Sequence, residues 1–343
     1  MTAQSDVWLA YLQRFPWLTH APARLVNIAP MTGGRWSLGD VVVSEAELLA
    51  ARPDGPVEQI RLFHLVHGGW RVASFRQFRP LVYFSAFGSP DIFACLKLAV
   101  SSLVERGRWQ WDVLVLTAAD TIDTVRTLLA PCGLGERLHL AVIEPASGQL
   151  GWYLARYRLD AHPIMRTAQP LLYLDVDMIC DAPLEPLLAA LAVSPAINAC
   201  AEGRLDEGGP DSGGHWFGWR LMQDDGMPFD PSAPGFSSGA LGMASAESAD
   251  IPFSLILRSR YADAMDPNGG HKLASKDQAF ANYVLRKLGR HETGLLPRVL
   301  NLHRLGGALH PNPADARGLV HFLGAPVGEK VKAMQAYLDC LRR

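Results

Sequence analysis

Two aspartates separated by one residue, Asp175 and Asp177, follow an apolar run in the stretch LLYLDVD. Residues two apart on a strand project to the same face, so both carboxylates can converge at the strand's end. Carboxylates are costly to desolvate unless a cation compensates them. Paired oxygen ligands suit Mg²⁺ or Mn²⁺, which complete their coordination with water and phosphate oxygens. The spacing therefore indicates a divalent metal site; the simpler interpretation is two solvated aspartates just past a strand.

A regular alternation of apolar strands and helices leads up to this pair from residue 80. Strands are predicted at LVYFSA, WDVLVLT, LHLAVIE and PLLYLDVD. Helices are predicted between them: DIFACLKLAVSSLVERG, TIDTVRTLLAPCG capped by Asp120, and a helix that Pro163 ends. Such alternation predicts parallel βαβ units in an open α/β sheet. Ligands of these sheets bind beyond the carboxyl ends of the strands, which is where the acidic pair falls.

The pattern breaks after the acidic pair. Residues 202–235 are rich in Gly, Asp, Pro and Trp, and a connection of this length is typical of a functional loop. Two interpretations stay open: an acceptor wall or lid, in which the aromatic faces stack on a ligand, or a loop that its tryptophans attach to the body. Later segments predict a strand at GFSSGALGMAS, a helix interrupted by Pro252, a helix capped by Ser275, a strand at LVHFLG and a closing helix. The loop's candidate side chains are His215, Trp216, Trp219, Asp224 and Asp225.

Residues 1–79 lack this regularity and are predicted to form a small α+β appendage without an assigned role. DVWLAYLQRFPWL predicts a short amphipathic helix, and GGRWSLGDVVVSEAELLAARP predicts a strand followed by a helical turn. IRLFHLVHGGWRVASF predicts a hairpin. We therefore expect two parts, residues 1–79 and residues 80–343.

The bulk composition indicates a globular, cytoplasmic protein. The 343 residues are 49% hydrophobic, which is enough for a substantial core, and a net charge of -2 argues against a nucleic-acid partner. Five scattered cysteines without CxxC spacing argue against a disulfide framework or a zinc ribbon. Neither a signal peptide nor a transmembrane segment is predicted, and peripheral membrane contact stays open.

Several stretches, taken in order, resemble glycosyltransferase family 8, a family with the GT-A fold. YLARYRLDAHPIMRTAQPLLYLDVDMICDAPLEPLLAAL resembles its core, and VYFSAFGSPDIFACLKLAVSSL its first strand, nucleotide loop and helix. FSSGALGM, KDQAFAN, LLPRVLN and VHFLGAPVGEK resemble later elements, so the resemblance covers about residues 80–335. It implies a Rossmann-like open mixed sheet flanked by helices. It also implies retaining transfer of a sugar from a UDP-sugar to a saccharide, lipid-linked glycan or protein acceptor in bacterial glycan biosynthesis.

The resemblance also implies roles for single residues. Asp175, Asp177 and His321 would hold Mn²⁺ or Mg²⁺, and the imidazole nitrogen favours Mn²⁺. Asp277 and Gln278 would be catalytic residues beside the transferred sugar. Asp175 would also contact the donor, and Lys332 is the alternative to Lys330. The other donor-binding residues would be Ala86, Phe87, Asp91, Arg156, Val176, Ser238, Gly239, Gly324 and Lys330.

Three other functions remain open at this stage. A phosphatase of the haloacid-dehalogenase type also ends a strand in Asp-x-Asp, and QDDG could be its later acidic pair. Such phosphatases have Thr or Val two residues after the second aspartate, where this chain has Ile179. A nucleotidyltransferase would also bind a metal through paired aspartates, but it usually has a basic, glycine-rich loop after its first strand. The corresponding stretch here, AFGSPDIF, has no Lys or Arg. The third is a GT-A domain that binds a partner without catalysis, because Ser237 stands where the family has Asn.

Overall fold

The structure is a computed structural model, and it describes residues 23–38, 41–44, 60–66, 70–144, 149–192, 194–206, 216–265, 277–296, 299–301, 318–324 and 326–342. Its strands form three sheets, of five, seven and three strands. The predicted helix in DVWLAYLQRFPWL, the predicted helical turn before residue 60 and the Ser275 cap lie outside the described residues.

The first sheet is antiparallel and is built from the N-terminal part of the chain, in the order β3-β2-β1-β4-β5. The predicted hairpin is confirmed, because β4 and β5 pair antiparallel. The division of the chain at residue 80 stays a prediction. The strands are β1 (Ala23–Met31), β2 (Arg35–Leu38), β3 (Val41–Ser44), β4 (Ile60–Val66) and β5 (Trp70–Gln77).

A mixed seven-stranded sheet forms the centre of the fold, in the order β13-β11-β12-β9-β6-β7-β8. The four strands predicted before the acidic pair run parallel, in the order β9-β6-β7-β8, and β12 joins β9 antiparallel. The strands are β6 (Leu81–Ser85), β7 (Asp112–Thr117), β8 (Leu138–Val142), β9 (Leu171–Leu174), β11 (Ile197–Arg204), β12 (Pro234–Met243) and β13 (His291–Glu292).

A third, small sheet stands beside the acidic pair. Its middle strand β15 (Leu319–Leu323) pairs antiparallel with β10 (Met178–Cys180) and parallel with β14 (Val299–Asn301). This pairing carries the late VHFLG segment to the strand that begins just after Asp177.

Helices cover both faces of the central sheet, as the alternation predicts. Side chains on β6 alternate between the two layers: Val82 and Phe84 pack with α1 and α9, and Leu81 and Tyr83 pack with α7 and α8. No described helix combines the length and apolar composition that a membrane crossing needs. The helices are α1 (Pro90–Glu105), α2 (Ile122–Leu129), α3 (Gln149–Leu154), α4 (Ile164–Thr167), α5 (Glu185–Leu191), α6 (Trp219–Asp224), α7 (Ala246–Ala264), α8 (Gln278–Lys287) and α9 (Val327–Arg342).

Two helix boundaries differ from the prediction. Thr121, not Asp120, is the N-cap residue of α2, because its carbonyl accepts the first helical hydrogen bond, from the Val125 N–H (2.9 Å). Its hydroxyl also bonds the Thr117 hydroxyl (2.8 Å), which connects the turn to β7. The helix predicted to end at Pro163 stops at Leu154 and tightens into a 3₁₀ turn, Ala155–Tyr157. That turn buries polar side chains that bond to the candidate site, so the apolar periodicity is lost there. Pro163 instead precedes a separate helix, α4.

Pro252 does not interrupt its helix, which is a further correction. It lies inside α7, where a proline leaves the carbonyl four residues earlier without its helical donor. That carbonyl, on Ser248, accepts a hydrogen bond from Arg290 Nη2 at 2.9 Å. The lost bond is thereby replaced, and α7 continues.

The part of the segment 202–235 that the structure describes, residues 202–206 and 216–235, has more regular secondary structure than the predicted loop. It contains the end of β11, helix α6 and the start of β12. Leu205, Phe217 and Met222 form a small buried cluster within the segment, and Tyr283 of α8 packs against that cluster. This contact with α8 favours the interpretation in which the segment is attached to the body of the protein.

Candidate active site

The acidic pair occupies the turn between two sheets. Asp175 follows β9 of the central sheet, and Asp177 precedes β10 of the small sheet. The backbone N–H of Asp175 donates to the Gly239 carbonyl (2.7 Å), and the Asp177 carbonyl accepts from the Phe322 N–H (2.9 Å). The turn is therefore fastened to a neighbouring strand on each side, which gives both carboxylates a defined position.

The third candidate ligand, His321, reaches the pair from β15. Its Nε2 atom lies 3.1 Å from Asp177 Oδ1 and 3.9 Å from Asp175 Oδ2, and the side chain is buried. One ligand atom from each of the three residues lies within 4.8 Å of the other two. Two carboxylate oxygens and an imidazole nitrogen are a donor set that Mn²⁺ or Mg²⁺ accepts, so the residues fit the predicted metal.

Gly239 allows this close approach. A Cβ atom built there would lie 2.2 Å from His321 Cε1 and 2.8 Å from Asp175 Oδ2. The β11–β12 pairing also skips here: Ala199 opposes Leu241, but Cys200 opposes Ser237. Residues 238–240 therefore have no partner on β11, and the Ser238 and Gly239 backbone instead bonds to residues of the site.

Asp177 has a basic partner at each of its two carboxylate oxygens. Oδ1 faces His321, and Oδ2 accepts a hydrogen bond from Lys330 Nζ at 2.5 Å. Burial alone would raise the pKa of Asp177, but His321 and Lys330 outweigh it and hold that pKa well below its usual value. Burial opposes the charged forms of His321 and Lys330, yet Asp177 raises the pKa of both.

Asp175 is compensated by a buried arginine on the 3₁₀ turn. Arg156 Nη2 lies 3.2 Å from Asp175 Oδ1, which also accepts from the Tyr173 hydroxyl at 2.5 Å. Burial is the largest influence on Asp175 and raises its pKa despite Arg156. The guanidinium also donates to the Ser238 carbonyl (2.8 Å) and lies over the Tyr173 ring at 5.0 Å. Arg156 therefore links the acidic pair to β12.

The two predicted catalytic residues stand at the start of α8. Asp277 is the N-cap residue, and its Oδ2 accepts from the Tyr157 hydroxyl (2.5 Å) and lies 3.5 Å from Arg156 Nε. Gln278 Oε1 accepts from the Ser238 N–H at 3.3 Å. The helix start is thus joined to the same arginine and the same strand as the acidic pair.

These side chains open into one cavity of about 520 Å³. Three predicted residues do not line it. Ala86 is buried, with its carbonyl accepting from Thr117 Oγ1; Asp91 is exposed on α1; and Gly324 lies in a turn just beyond β15, at φ 76°. The predicted residues that line it are Phe87, Arg156, Asp175, Val176, Asp177, Ser238, Gly239, Asp277, Gln278, His321 and Lys330.

The side chains predicted for an acceptor wall lie elsewhere where they are described. Trp216 is half-exposed, Trp219 begins α6, Asp224 lies 3.9 Å from Arg220 and Asp225 lies 2.6 Å from Lys287. These four do not line the cavity, and His215 lies outside the described residues. The QDDG pair of the phosphatase interpretation is therefore not part of this site.

Several contributing residues were missed from the sequence. Tyr157 and Tyr173 orient Asp277 and Asp175, and Trp152 stacks on Phe87 with ring centroids 5.9 Å apart. Glu202 accepts a hydrogen bond from Gln278 Nε2 at 3.2 Å. Tyr173 carried a usable signal, since it precedes Asp175 by two and so shares its strand face.

The chain is similar to known proteins in structure but not detectably in sequence. No protein-family model matches the sequence, and no curated protein matches it. The galactosyltransferase LgtC, solved with donor and acceptor sugar analogues, superposes with a TM-score of 0.50 at 15% identity, over 75% of this chain and 95% of LgtC. The apo bifunctional glycosyltransferase WbbM superposes with a TM-score of 0.51 at 13% identity, over 81% of this chain and 54% of WbbM.

The chain has the GT-A glycosyltransferase fold. The expected α/β architecture, an open mixed sheet flanked by helices, is thereby confirmed. The chain spans nearly all of LgtC but only about half of WbbM. In this fold the Asp175–Asp177 turn lies at the carboxyl end of β9, beside the strand at which the sheet changes direction, where open α/β sheets bind ligands.

Proposed function

We propose that the chain is a metal-dependent glycosyltransferase that moves a sugar from a UDP-sugar to an acceptor with retention of configuration. One observation carries the proposal: Asp175, Asp177 and His321 converge in a cavity of about 520 Å³ at the ligand-binding edge of a GT-A fold. The cavity also contains a lysine and a buried arginine, which suit an anionic diphosphate.

The metal-holding residues would be Asp175, Asp177 and His321, with Mn²⁺ preferred to Mg²⁺ because of the imidazole. A divalent cation bound there supplies positive charge against the negative charge that grows on a leaving diphosphate. Lys330 would add the positive charge of its ammonium group, which lies next to Asp177. Arg156 holds Asp175 and the Ser238 backbone in place, so the anionic and sugar-binding parts of the site keep a fixed relation.

The sugar of the donor would lie between β12 and the start of α8. Ser238 and Gly239 offer backbone at close range there, and Asp277 offers an acidic oxygen for hydroxyl groups. Gln278 adds an amide beside them. The nucleoside would take the end of the cavity at Phe87 and Trp152, whose parallel rings offer an apolar surface.

The acceptor class is proposed as a saccharide, a lipid-linked glycan or a protein. LgtC was solved with analogues of both donor and acceptor sugars, which supports a saccharide among these three. An acceptor would enter the same cavity, which the metal-binding residues also line.

The proposal is tested by supplying a panel of UDP-sugars with Mn²⁺ and measuring release of UDP. We expect turnover of at least one UDP-sugar, loss of it in Asp175→Asn and Asp177→Asn, and no change in Asp123→Asn, an exposed control. NMR of the released sugar would show its anomeric configuration. UDP binding without turnover would indicate an inactive GT-A domain, and hydrolysis of a phosphomonoester alone would favour the phosphatase.

A further inference from the structure

The amide of Gln278 is held at both ends. Its Oε1 accepts from the Ser238 N–H (3.3 Å), and its Nε2 donates to Glu202 Oε2 (3.2 Å). Its backbone carbonyl accepts from Asn282 Nδ2 (3.0 Å), and the same Asn282 amide bonds the backbone of Phe236 in both directions. The start of α8 is thus fastened to β12, and the Gln278 side chain points back across that strand toward β11.

A bulge in β11 delivers Glu202 to this place. Ala201 opposes Phe236 and Gly203 opposes Gly235, so two residues span one step of the partner strand and Glu202 is the extra residue. A bulge re-aims a side chain that a regular ladder would place elsewhere, and bulges are frequent beside active sites. The first four residues of β11, Ile197 to Cys200, are buried, whereas Ala201 is exposed and Glu202 is partly exposed, so the strand leaves the core just before it reaches Gln278.

A glutamine amide has two ends of nearly equal shape, one an acceptor and one a donor, and it can bind either way round. A backbone N–H is a donor, so it bonds only to the oxygen end. An ionised carboxylate is an acceptor only, so it selects the nitrogen end. Ser238 and Glu202 therefore demand the same orientation, and Glu202 supplies the charge-assisted, stronger contact of the two.

We propose that Glu202 is a positioning residue that fixes the Gln278 amide toward the donor sugar. Glu202 does not line the cavity, whereas Gln278 does, so Glu202 acts through Gln278. The remaining lone pair of Gln278 Oε1 and the second N–H of Nε2 are then presented to the cavity in one arrangement. A site held in this way loses little entropy when its hydrogen bonds to substrate form. This inference rests on the proposed glycosyl transfer.

The first test is a double-mutant cycle on turnover, with Glu202→Ala, Gln278→Ala and the double variant. Losing a charge-assisted hydrogen bond is expected to lower kcat about 10- to 100-fold in Glu202→Ala. The same substitution should have no further effect when Gln278 is already alanine. Glu202→Gln, whose carbonyl oxygen still accepts, should restore most of the rate, and the exposed Glu136→Ala serves as control.

Binding of UDP with Mn²⁺ is measured on the same proteins. Its dissociation constant should stay within about twofold in Glu202→Ala, because the substitution leaves the metal and diphosphate residues intact. A Glu202→Ala variant with unchanged kcat, or one that loses the same factor in the Gln278→Ala background, would overturn the positioning role.

A second readout does not depend on turnover and so separates this inference from the proposed function. The side-chain amide resonances of Gln278 are identified by NMR as the pair that disappears in Gln278→Ala. We expect their chemical shifts to move in Glu202→Ala and to return toward the wild-type values in Glu202→Gln. If the wild-type chain turns over no nucleotide sugar, this readout decides alone, and an unmoved pair of resonances would overturn the contact.

Discussion

Lys330 forms an ion pair with Asp177 in the absence of a metal ion. Replacing Lys330 should therefore strengthen, not weaken, the binding of Mn²⁺ alone. Lys330 Nζ lies 2.5 Å from Asp177 Oδ2, and both side chains are about 85% buried. At an effective dielectric constant near 20, their gross attraction is about 6–7 kcal/mol, most of which desolvation offsets. A net value of about 1.5–3 kcal/mol is left for such a charge-assisted bond. A metal ion that binds Asp177 must first displace Lys330 and so loses this contribution.

Lys330→Met is therefore expected to bind Mn²⁺ more tightly than the wild type when no nucleotide is present, by about 10- to 100-fold at 1.4 kcal/mol per tenfold change. With UDP present the order should reverse, since the wild-type ammonium is then free to contact the diphosphate. In the wild type, UDP and Mn²⁺ should consequently strengthen each other's binding, and the coupling should shrink in the variant.

The assay is a Mn²⁺ titration followed by the electron paramagnetic resonance signal of free Mn²⁺, with and without UDP. Lys332→Met is the matched control, because Lys332 is an exposed lysine on the same helix and should leave both affinities unchanged. A thermal melt checks that Lys330→Met is folded. The reasoning is refuted if Lys330→Met binds Mn²⁺ alone no more tightly than the wild type does.

Two further predictions concern packing and pH. Gly239→Ala should abolish Mn²⁺ binding in the same titration, because its methyl group would displace His321. Gly242→Ala is the control, because a Cβ there would lie 2.4 Å from Leu191 Cδ2, a similarly close contact outside the site. It should lower the melting temperature but keep Mn²⁺ binding. Burial lowers the pKa of His291 to about 4, so the unfolded state takes up its proton first. Stability from this residue is complete above about pH 6.5 and is lost as the pH falls toward 4, by about 3 kcal/mol at most. Urea unfolding of His291→Gln should show a flatter profile across that range, and parallel profiles for both proteins would contradict it.

The central layers of the fold could be predicted because their strands are buried on both faces. Segments such as LVYFS and DVLVLT are apolar throughout, which identifies strands of a parallel sheet without any knowledge of their partners. The turn that ends the helix at Leu154 could not be predicted in this way. Arg156 and Tyr157 are buried there for their hydrogen bonds, and such polar residues read as surface residues in a hydrophobic pattern.

The candidate site shows the same division between local and long-range information. The Asp175–Asp177 spacing is local, so the sequence predicts their convergence. His321 meets them only because β15 pairs with β10, a contact 144 residues distant that only the family resemblance suggested. The bulge at Glu202 depends on the register between β11 and β12, so it cannot be predicted from the residues of β11 alone.

Calorimetric titration of UDP into the protein, with Mn²⁺ and then with EDTA, tests the central claim most directly. If Asp175, Asp177 and His321 hold a cation that receives the diphosphate, UDP binds with Mn²⁺, binding disappears in EDTA, and Asp177→Asn binds under neither condition. Equal binding of UDP in Mn²⁺ and in EDTA, or no binding to the wild type in either, would contradict the account.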